Sequence, residues 1–328
     1  MLCITRHETD PYFNLAAEEY VLKNFKEDCF MLWRNEPCII VGKHQNTLAE
    51  INLDYVKANN IKVVRRLSGG GAVFHDLGNL NFTFVKTAFP GNDIVDFRKF
   101  TIPILVVLNK LGINAEFAGR NDLVIDGKKF SGNAGHVYKN RVLHHGTLLF
   151  SSVMSDLVNA LNVDPSKFSD KAVKSVKSRV TNISEHLHRK LDVLEFRDLI
   201  MKDIVESTMD AQIYSFSEKD KKAIADLRDE KYSKDEWNYG HSHEYTFTKK
   251  IKTAAGGHIE AALVVENGII QHVKFYGDFF HVHDPSEIEA ALLGVKHDES
   301  AMRKKLSRFK LNDYFMNVTD DEIISLLI

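Results

Sequence analysis

The stretch RRLSGGGAVFHDLGNLNFTF, residues 65–84, guides the interpretation of the whole chain. Residues 61–64 (IKVV) predict a short buried strand, and two arginines end it. Three consecutive glycines follow at positions 69–71. Such a run costs conformational entropy and fills no core, but it lets the backbone approach a ligand with its N–H groups facing oxygen atoms. Arginine donors beside it suit phosphate or carboxylate, so the stretch predicts an anion-binding loop.

The residues on either side of the glycines distinguish such a loop from its alternatives. A glycine run can also be a mobile hairpin turn between surface arginines. The order Arg-Arg before the glycines and His-Asp-x-Gly-Asn after them favours ligand binding instead. The common nucleotide loops do not match. A P-loop needs Lys-Ser/Thr after its last glycine, where Ala72-Val73 stands, and Phe74 occupies the last glycine position of Gly-x-Gly-x-x-Gly.

Length, charge and cysteine content limit the class of protein. The chain has 328 residues, 44% of them hydrophobic, which is enough for one large domain or two domains with separate cores. A formal net charge of -2 argues against a dedicated nucleic-acid binder. Three cysteines without metal-ligand spacing predict reduced thiols. Since the chain shows neither an apolar leader nor a membrane-length apolar run, we expect a soluble cytoplasmic protein.

Hydrophobic periodicity predicts the elements around the loop. Apolar residues recur at helical spacing over residues 14–25 and 93–111, which predicts two helices. The short apolar runs 29–33 and 38–41 predict strands, and a further helix is expected near residues 49–59. Within the opening stretch, the alternating NFTF run that ends it predicts a half-buried strand.

A second informative block occupies residues 119–150. Asp126-Gly127 is a strong two-residue hairpin signal between two predicted strands. Lys128 and Lys129 begin the return strand, which we expect to break at residues 131–134 (SGNA). A lysine beside a hairpin turn is usually a surface charge. Neighbouring side chains on a strand face opposite sides, so Lys128 is predicted to be solvated if Lys129 faces a site.

Several stretches of the chain closely resemble motifs of the lipoate-protein ligases, which share a superfamily with the biotin-protein ligases. The first is the arginine–glycine loop of residues 65–84. The second, KKFSGNA at residues 128–134, matches the family pattern Arg/Lys-Lys-x-Ser-Gly-x-Ala. The third, KSVKSRVTNI at residues 174–183, is similar to the family's mobile adenylate-binding loop. A Trp-Arg-Asn run at 33–35 and Gly-x-x-Gln-Asn at 42–46 are similar as well.

The resemblance implies an α+β fold in which a mixed, largely antiparallel sheet is packed with helices. We assign residues 1–245 to this biotin/lipoate ligase-like catalytic domain. From about residue 246 the pattern changes to alternating strands with a turn at Asn267-Gly268, followed by helical stretches. Residues 246–328 are therefore predicted to form a small α/β accessory domain, similar to the one that many lipoate ligases carry.

The resemblance also implies the activity. Lipoate-protein ligases first convert lipoate and ATP to lipoyl-AMP and pyrophosphate, and then transfer the lipoyl group to a lysine of a lipoyl domain. ATP with Mg²⁺ is the implied co-substrate, and no tightly bound prosthetic group is implied. The implied partners are acceptor proteins, namely E2 subunits of 2-oxoacid dehydrogenases and the glycine cleavage H protein, and neither nucleic acid nor a membrane.

The motifs also imply which residues form the site. Lys129 corresponds to the family's catalytic lysine. The residues implied to bind ATP or lipoyl-adenylate are Arg66, Gly71, Ala72, Val73, Phe74, Asn79, Asp122, Lys129, Ser178, Arg179 and Val180. Lys129, Arg66 and His145 are implied to bind lipoate, with a structural core histidine as the alternative for His145. Asp122 is the implied ligand of Mg²⁺.

Three other functions stay open from the sequence. Octanoyl- and lipoyl-transferases of the same superfamily use a cysteine well downstream of the glycine loop, whereas the last cysteine here is Cys38. A biotin ligase carries a different glycine–arginine pattern. A non-catalytic regulator that binds lipoate or a nucleotide would be expected to lose Lys129 or the glycine loop, and both are present.

Three histidine pairs have a spacing that could suit a metal. They are His186/His188, His241/His243 and His281/His283. The last pair, two residues apart on a predicted strand, would share one face. Since none of the pairs has Cys or carboxylate ligands in a suitable pattern nearby, the sequence does not favour a metal site at these histidines.

Overall fold

The computed structural model describes residues 1–88, 96–161, 179–239, 247–253, 257–266 and 268–328. Its strands are β1 Leu2–Thr5, β2 Cys29–Trp33, β3 Cys38–Val41, β4 Lys62–Arg65, β5 Val73–His75, β6 Asn79–Thr87, β7 Ala115–Ala118, β8 Asp122–Ile125, β9 Lys128–Tyr138, β10 Arg141–Leu149, β11 Gln212–Ile213, β12 Phe247–Lys252, β13 His258–Glu266 and β14 Ile269–Gly277. Its α-helices are α1 Pro11–Asn24, α2 Thr47–Glu50, α3 Leu53–Ala58, α4 Phe97–Lys110, α5 Met154–Ala160, α6 Val193–Ser207, α7 Glu218–Leu227, α8 Asp235–Asn238, α9 Ser286–Leu292, α10 Glu299–Leu306, α11 Leu311–Tyr314 and α12 Asp320–Leu327.

Eight strands form one mixed sheet in the order β11-β1-β2-β6-β10-β9-β8-β7. β1 pairs in parallel with β11 and with β2, and the other neighbouring strands pair antiparallel. The run from β7 to β10 follows the chain order, since antiparallel neighbours can be joined by short turns. The predicted fold class, a largely antiparallel sheet packed with helices, is confirmed.

Helices cover both faces of the large sheet. Along β2, Phe30 and Leu32 pack into the core that contains residues of α4 and α6. Met31 and Trp33 point to the opposite face and pack with residues of α1 and α7. Side chains alternate across a strand, so a strand between two helical layers is apolar at successive positions.

β6 is buried on both faces, which contradicts the half-buried strand predicted for residues 81–84. Phe82 and Phe84 enter the core on the α4 side. Asn81 and Thr83 point to the other side and are only 2% and 0% exposed. The prediction is wrong because the polar face of β6 lies against α1, where Thr83 bonds to Glu18, and borders an internal cavity at Asn81. Buried polar groups of this kind require hydrogen-bond partners.

The glycine loop joins two strands of a separate small sheet with the order β4-β3-β5. β3 pairs in parallel with β4, so that Val41 lies beside Arg65. It pairs antiparallel with β5, so that Ile40 lies beside Val73. Both ends of the loop are therefore fixed to adjacent positions of one central strand.

Two predicted helices differ from the structure at their ends. α1 begins at Pro11 rather than at residue 14, because the Asp10 carboxylate accepts the N–H groups of Tyr12 and Phe13. The single helix expected near residues 49–59 is instead α2 and α3. The chain is extended between them, and Asn52 caps the second helix by accepting the N–H of Tyr55.

Two further predictions concern the elements near the site. α4 lies within the helix predicted for residues 93–111, of which residues 93–95 are outside the described part. The break expected at residues 131–134 is wrong, because β9 continues through them. A register shift against β8 between Leu123 and Val124 accommodates the sequence without ending the strand.

The described residues beyond 246 form a separate three-stranded sheet, β12-β13-β14, whose core includes residues of the helices α9–α12. The predicted small α/β C-terminal domain is present, and its predicted boundary falls within residues 240–246, outside the described part. β14 ends at Gly277, so His281 and His283 do not lie on a strand as predicted. The Gly277 N–H donates to the His44 carbonyl, which ties the strand end to the segment beside the glycine loop.

Candidate functional site

A cavity of about 150 Å³ lies between the large sheet and the small sheet. Six of the predicted site residues line it: Arg66, Gly71, Ala72, Val73, Lys129 and His145. The predicted residues Phe74, Asn79, Asp122, Arg179 and Val180 are described but do not line it, and Ser178 lies outside the described residues. The glycine loop and the hairpin lysine, far apart in sequence, therefore meet at one cavity.

Sequence reasoning missed much of the cavity wall. The additional lining residues are Leu15, Trp33, Ile40, Gly70, His75, Asn81, Asn121, Gly132, Asn133, Ala134, Gly146 and Thr147. Asn81 and Thr147 are direct neighbours on β6 and β10. A polar residue at alternate positions of an otherwise apolar strand was the signal that could have identified them.

Arg66 is buried inside the glycine loop and holds it in shape. Its Nε donates to the Gly69 carbonyl at 3.2 Å, and its Nη2 donates to the carbonyls of Gly69 and Gly71 at 2.6 and 2.8 Å. Nη1 donates to the Ile40 carbonyl of β3 at 3.2 Å. Gly70 has φ of +88°, and a Cβ there would lie 2.9 Å from Arg66 Nη2, so only glycine fits this position. All three guanidinium nitrogens are thus bonded to protein oxygens.

A chain of buried side chains connects the loop to α1. Ser68 Oγ lies 3.0 Å from Arg66 Nε and 2.6 Å from His145 Nε2. His145 Nδ1 lies 3.0 Å from both carboxylate oxygens of Glu18. One of these oxygens, Oε1, also accepts from Thr83 Oγ1 at 2.5 Å. His145 thus lines the cavity with its ring while both ring nitrogens are bonded to protein side chains.

Arg65, the other arginine of the pair, fixes the segment before the loop. Its Nη1 donates to the carbonyls of Gly42 and Gln45 at 3.0 and 2.7 Å. Its Nη2 donates to Thr47 Oγ1 and to the Asn238 carbonyl, which brings the end of the predicted catalytic part against this segment. Arg65 is therefore a structural residue, whose donors are occupied by the protein.

Lys129 lines the same cavity as the glycine loop and is partly exposed. The hairpin that carries it turns at Asp126-Gly127, both with positive φ as the sequence predicted for this turn. Lys129 Nζ forms an ion pair with Asp122 Oδ1 at 2.7 Å, and the two side chains are 42% and 35% exposed. Lys128, its neighbour, is exposed as predicted. A solvent-accessible ammonium group at the rim is placed to meet an anionic ligand.

The segment after residue 178 lies directly against the lysine. Val180 forms a parallel bridge with Lys129, and the Thr181 N–H donates to the Lys129 carbonyl at 2.9 Å. The same segment is also held to Ser152, whose N–H donates to Asn182 Oδ1 at 2.9 Å. The third motif and the hairpin lysine are therefore in contact, although neither Arg179 nor Val180 reaches the cavity wall.

Comparison with known families agrees with this geometry. Residues 10–205 match the model of the lipoyl protein ligase A/B catalytic domain, and residues 242–327 match that of the bacterial lipoate protein ligase C-terminus. The chain is 44% identical to lipoate–protein ligase 1 of Staphylococcus aureus (strain Mu50) over 97% of both chains. The chain belongs to the lipoate-protein ligase family. It is therefore a ligase that attaches lipoate to protein.

Solved structures similar to the ligase agree with the assignment. A bi-partite lipoate protein ligase from Thermoplasma acidophilum, described with its E2 lipoyl domain, is 30% identical with a TM-score of 0.67, covering 75% of this chain and 98% of that one. A lipoate-protein ligase A bound with ATP is 28% identical with a TM-score of 0.64, covering 72% of this chain and 98% of that one.

The C-terminal domain of the ligase packs directly against the glycine loop. A Cβ on Gly69 would overlap the Phe279 carbonyl oxygen, so the two backbones are in contact there. Phe280 packs with Phe97 and Ala134, which places it between α4 and β9. An ion pair between Lys43 and Asp284 joins the same two regions. The loop that borders the cavity is thus held from both domains.

Three buried histidines lie at this contact in the ligase. His44 stacks on Phe279 with ring centroids 4.8 Å apart, and His281 meets His44 edge-on at 4.7 Å. His136 of β9 lies 5.8 Å from His281. Burial lowers the pKa of His136 to about 3 and that of His281 to about 4, with further lowering from Lys43 and partial opposition from Asp284. Burial also lowers the pKa of His44. The domain contact therefore holds neutral imidazoles.

We expect the stability of the ligase to fall when the pH drops from 7 towards 4. Each histidine has a pKa near 6.5 in the unfolded chain and a lower one in the fold, so the unfolded chain binds more protons in this range. Each such proton contributes a slope of about 1.4 kcal/mol per pH unit. Urea unfolding at several pH values should show a smaller slope of unfolding free energy against pH for His281→Phe than for wild type. His7→Gln, at an exposed position, should have the wild-type slope. Equal slopes for wild type and His281→Phe would contradict the prediction.

The described residues of the ligase show neither a membrane-spanning helix nor a metal-binding cluster. None of its described helices is long and apolar enough to cross a membrane. Likewise, within the described ranges no three His, Cys, Asp or Glu side chains are grouped so that they could hold a metal ion.

Proposed function

We propose that the ligase converts lipoate and ATP to lipoyl-AMP and pyrophosphate, and then transfers the lipoyl group to the ε-amino group of an acceptor lysine. The observation that carries this proposal is the placement of Lys129 and the glycine loop on one cavity. A carboxylate attacks a triphosphate only when the repulsion between their negative charges is offset. A lysine ammonium and backbone N–H groups around one cavity supply that offset at fixed positions.

Lys129 is the proposed catalytic residue of the first step. In the structure its ammonium is paired with Asp122 at 2.7 Å. We propose that it bridges the lipoate carboxylate and the α-phosphate in the complex, so that the carboxylate oxygen attacks phosphorus while pyrophosphate leaves on the opposite side. The ammonium then stabilises the charge that develops between them.

The remaining predicted contacts are assigned to the nucleotide. The backbone of Gly71, Ala72, Val73 and Phe74 is proposed to contact the phosphates and base, with Arg66 supporting the loop. Ser178, Arg179 and Val180 are proposed to cover the adenylate, because the bridge between Val180 and Lys129 brings this segment to the catalytic amine. Asn79 is also proposed to contribute to nucleotide binding, and its Nδ2 donates to the Oδ1 of the cavity-lining Asn81 at 3.0 Å.

The apolar part of the cavity is assigned to the lipoyl chain. Leu15, Trp33, Ile40 and Ala134 line the cavity, and a hydrocarbon chain buried there gains the free energy of leaving water. His145 contributes its ring to the same wall. With both ring nitrogens bonded to protein, we assign His145 a packing contact with lipoate.

Magnesium is proposed to enter as part of the MgATP substrate. Mg²⁺ commonly binds one or two carboxylates and the oxygens of substrate phosphates. Asp122 is a partly exposed carboxylate paired with Lys129, so it fits the role of a single protein ligand once Lys129 turns to the substrates.

The second step needs no nucleophile from the ligase, because the mixed anhydride is already activated and the attacking amine belongs to the acceptor. We propose lipoyl domains as acceptors, in E2 subunits and in the glycine cleavage H protein. The similarity to a ligase described with its E2 lipoyl domain supports the first of these. The reaction is proposed to take place in the cytoplasm.

The proposal is tested by lipoate-dependent ATP–pyrophosphate exchange without any acceptor protein. We expect exchange with purified ligase, lipoate and MgATP, because adenylate formation is reversible and needs no acceptor. Omission of lipoate is the matched control and should abolish the exchange. Transfer of lipoyl groups to an E2 lipoyl domain without any exchange would overturn the adenylate mechanism.

The cysteines separate this mechanism from a thioester transferase. Cys3, Cys29 and Cys38 are fully buried, and none belongs to the described cavity wall. Burial raises the pKa of all three thiols, that of Cys29 to about 12, so thiolate is scarce. We expect a variant with all three changed to alanine to keep exchange and transfer within about two- to threefold of wild type, at a stability cost of about 1 kcal/mol per site. Loss of transfer in a folded triple variant would favour a thioester intermediate.

A further inference from the structure

We propose that Glu18 is a positioning residue for lipoyl-AMP formation, acting through His145 and Ser68 on Arg66 and so on the glycine loop. The inference rests on the proposed function of the same cavity. Glu18 lies in α1, outside every motif discussed above, and its side chain is buried with 2% exposure. A buried carboxylate is costly unless it is paired or well hydrogen-bonded, so its position requires an explanation.

With a neutral His145, the hydrogen bonds from Glu18 to Arg66 run in one direction. The Glu18 carboxylate can only accept, so His145 Nδ1 carries the proton of their 3.0 Å contact. The neutral imidazole then accepts at Nε2 from the Ser68 hydroxyl at 2.6 Å. While the Ser68 O–H donates its hydrogen bond to His145, the Ser68 Oγ accepts a hydrogen bond from Arg66 Nε at 3.0 Å. Each group therefore orients the next one.

This hydrogen-bonded path from Glu18 to Arg66 is a relay, and the groups at its two ends carry opposite charges that are both buried. Burial lowers the pKa of Arg66 to about 10, Glu18 acts in the opposite direction, and Arg65 lowers it slightly further. Arg66 is 5% exposed, and Glu18 is the carboxylate that offsets its charge. Removing the carboxylate would leave the guanidinium with a weaker hold on its position.

The orientation of Arg66 determines where the loop N–H groups point. Arg66 accepts no bonds and instead donates to the carbonyls of Gly69 and Gly71. In a trans peptide the carbonyl of one residue and the N–H of the next point in opposite directions, and the described chain has no cis bonds. The N–H groups of Gly70 and Ala72 are therefore directed away from the guanidinium, and both residues line the cavity. These are the donors that a phosphate would meet.

The same three side chains have the order of a Glu-His-Ser hydrolase triad, but the geometry disfavours a nucleophilic serine. Ser68 is fully buried and is not among the described residues that line the cavity. Its oxygen also accepts from Arg66, which reduces its electron density for attack. A supporting role accounts for both observations.

The test compares Glu18→Gln, Ser68→Ala and the double variant in pyrophosphate exchange. Each single variant should lower kcat by about 10- to 100-fold, as is common for groups that orient a reactive site. The KM for lipoate should stay within about twofold, and the double variant should be no slower than the slower single one, because both changes break the same relay. Thr83→Val is the matched control: Thr83 also bonds to Glu18 but lies off the path to Arg66, so it should lose less than about threefold.

The outcomes distinguish failure of the proposed relay from failure of the proposed ligase function. Wild-type exchange in the same assay tests the proposed function, whereas the ratios between variants test the relay. Wild-type kcat in Ser68→Ala, multiplicative losses in the double variant, or a change confined to the lipoate KM would each overturn it. Should Glu18→Gln fail to fold, Ser68→Ala alone carries the test. Nitrogen NMR of the wild-type protein should show His145 protonated at Nδ1. The His145 signals are identified by their absence from the spectrum of His145→Asn. A proton on Nε2 in place of Nδ1 would also overturn the relay.

Discussion

Replacing Lys129 by alanine is expected to abolish lipoyl-AMP formation while the protein stays folded. The ammonium at the cavity rim is the positive charge proposed to bridge the two anionic substrates. Loss of one such preorganised group commonly lowers kcat by about 100- to 1,000-fold. The folded state should be nearly unaffected, because the ion pair with Asp122 is 42% and 35% exposed and such surface pairs contribute about 0–1 kcal/mol. Exchange kinetics and thermal unfolding measure the two effects.

The neighbouring lysine provides a matched control for this substitution. Lys128→Ala removes the same side chain one position away, on the exposed side of the hairpin, and should retain near wild-type exchange. Lys129→Arg keeps the charge but replaces a compact ammonium by a planar fork, so we expect it to restore only part of the activity. Wild-type exchange in Lys129→Ala would remove Lys129 from the proposed mechanism.

Replacing Gly69 by alanine is expected to destabilise the protein by about 3 kcal/mol, the upper part of the usual range for overpacking. A Cβ there would overlap the Phe279 carbonyl oxygen and lie 3.0 Å from its carbonyl carbon, and both atoms belong to the backbone. Backbone cannot rotate away as a side chain can, so the loop and the C-terminal domain must separate. Urea unfolding measures the loss, and amide exchange of Gly277, whose N–H donates to the His44 carbonyl, should become faster.

Gly71→Ala is the control for this second substitution. A Cβ at Gly71 would meet no atom within 4 Å, so the same change of side chain in the same loop should leave the stability within about 0.5 kcal/mol. Because Gly71 lines the cavity, this comparison concerns stability alone. Equal stabilities of Gly69→Ala and Gly71→Ala would show that the domain contact tolerates displacement.

Local sequence signals were sufficient for the parts of the site that a short segment builds by itself. The Asp126-Gly127 turn places Lys129 at the start of β9, because this turn type is specified by its own residues. The three glycines after β4 predicted a loop whose backbone faces a ligand, since such a run has little value in a core. Likewise, the alternating and periodic segments predicted individual strands and helices, whereas the mixed sheet was implied by the resemblance to the family.

The errors in the prediction came from contacts between distant segments. NFTF has the pattern of a half-exposed strand, yet its polar side is buried, because Thr83 bonds to Glu18 of α1 and Asn81 lines the cavity. The break predicted at residues 131–134 is absent because a register shift against β8 accommodates that segment. Strand pairing and burial of this kind depend on the strand or helix that packs against the segment. Local sequence propensity carries no information about that partner.

The sequence by itself identified the family and predicted the catalytic lysine and the anion-binding loop, because these depend on residues adjacent in the chain. Only the tertiary structure showed that Arg66 holds the loop from inside, with its donors bonded to the carbonyls of Gly69, Gly71 and Ile40. It alone linked that arginine to Glu18, 48 positions earlier in the sequence (66 minus 18). The physical reason is that a buried charge is compensated by whichever groups folding brings within hydrogen-bond distance, and spacing along the chain does not specify them.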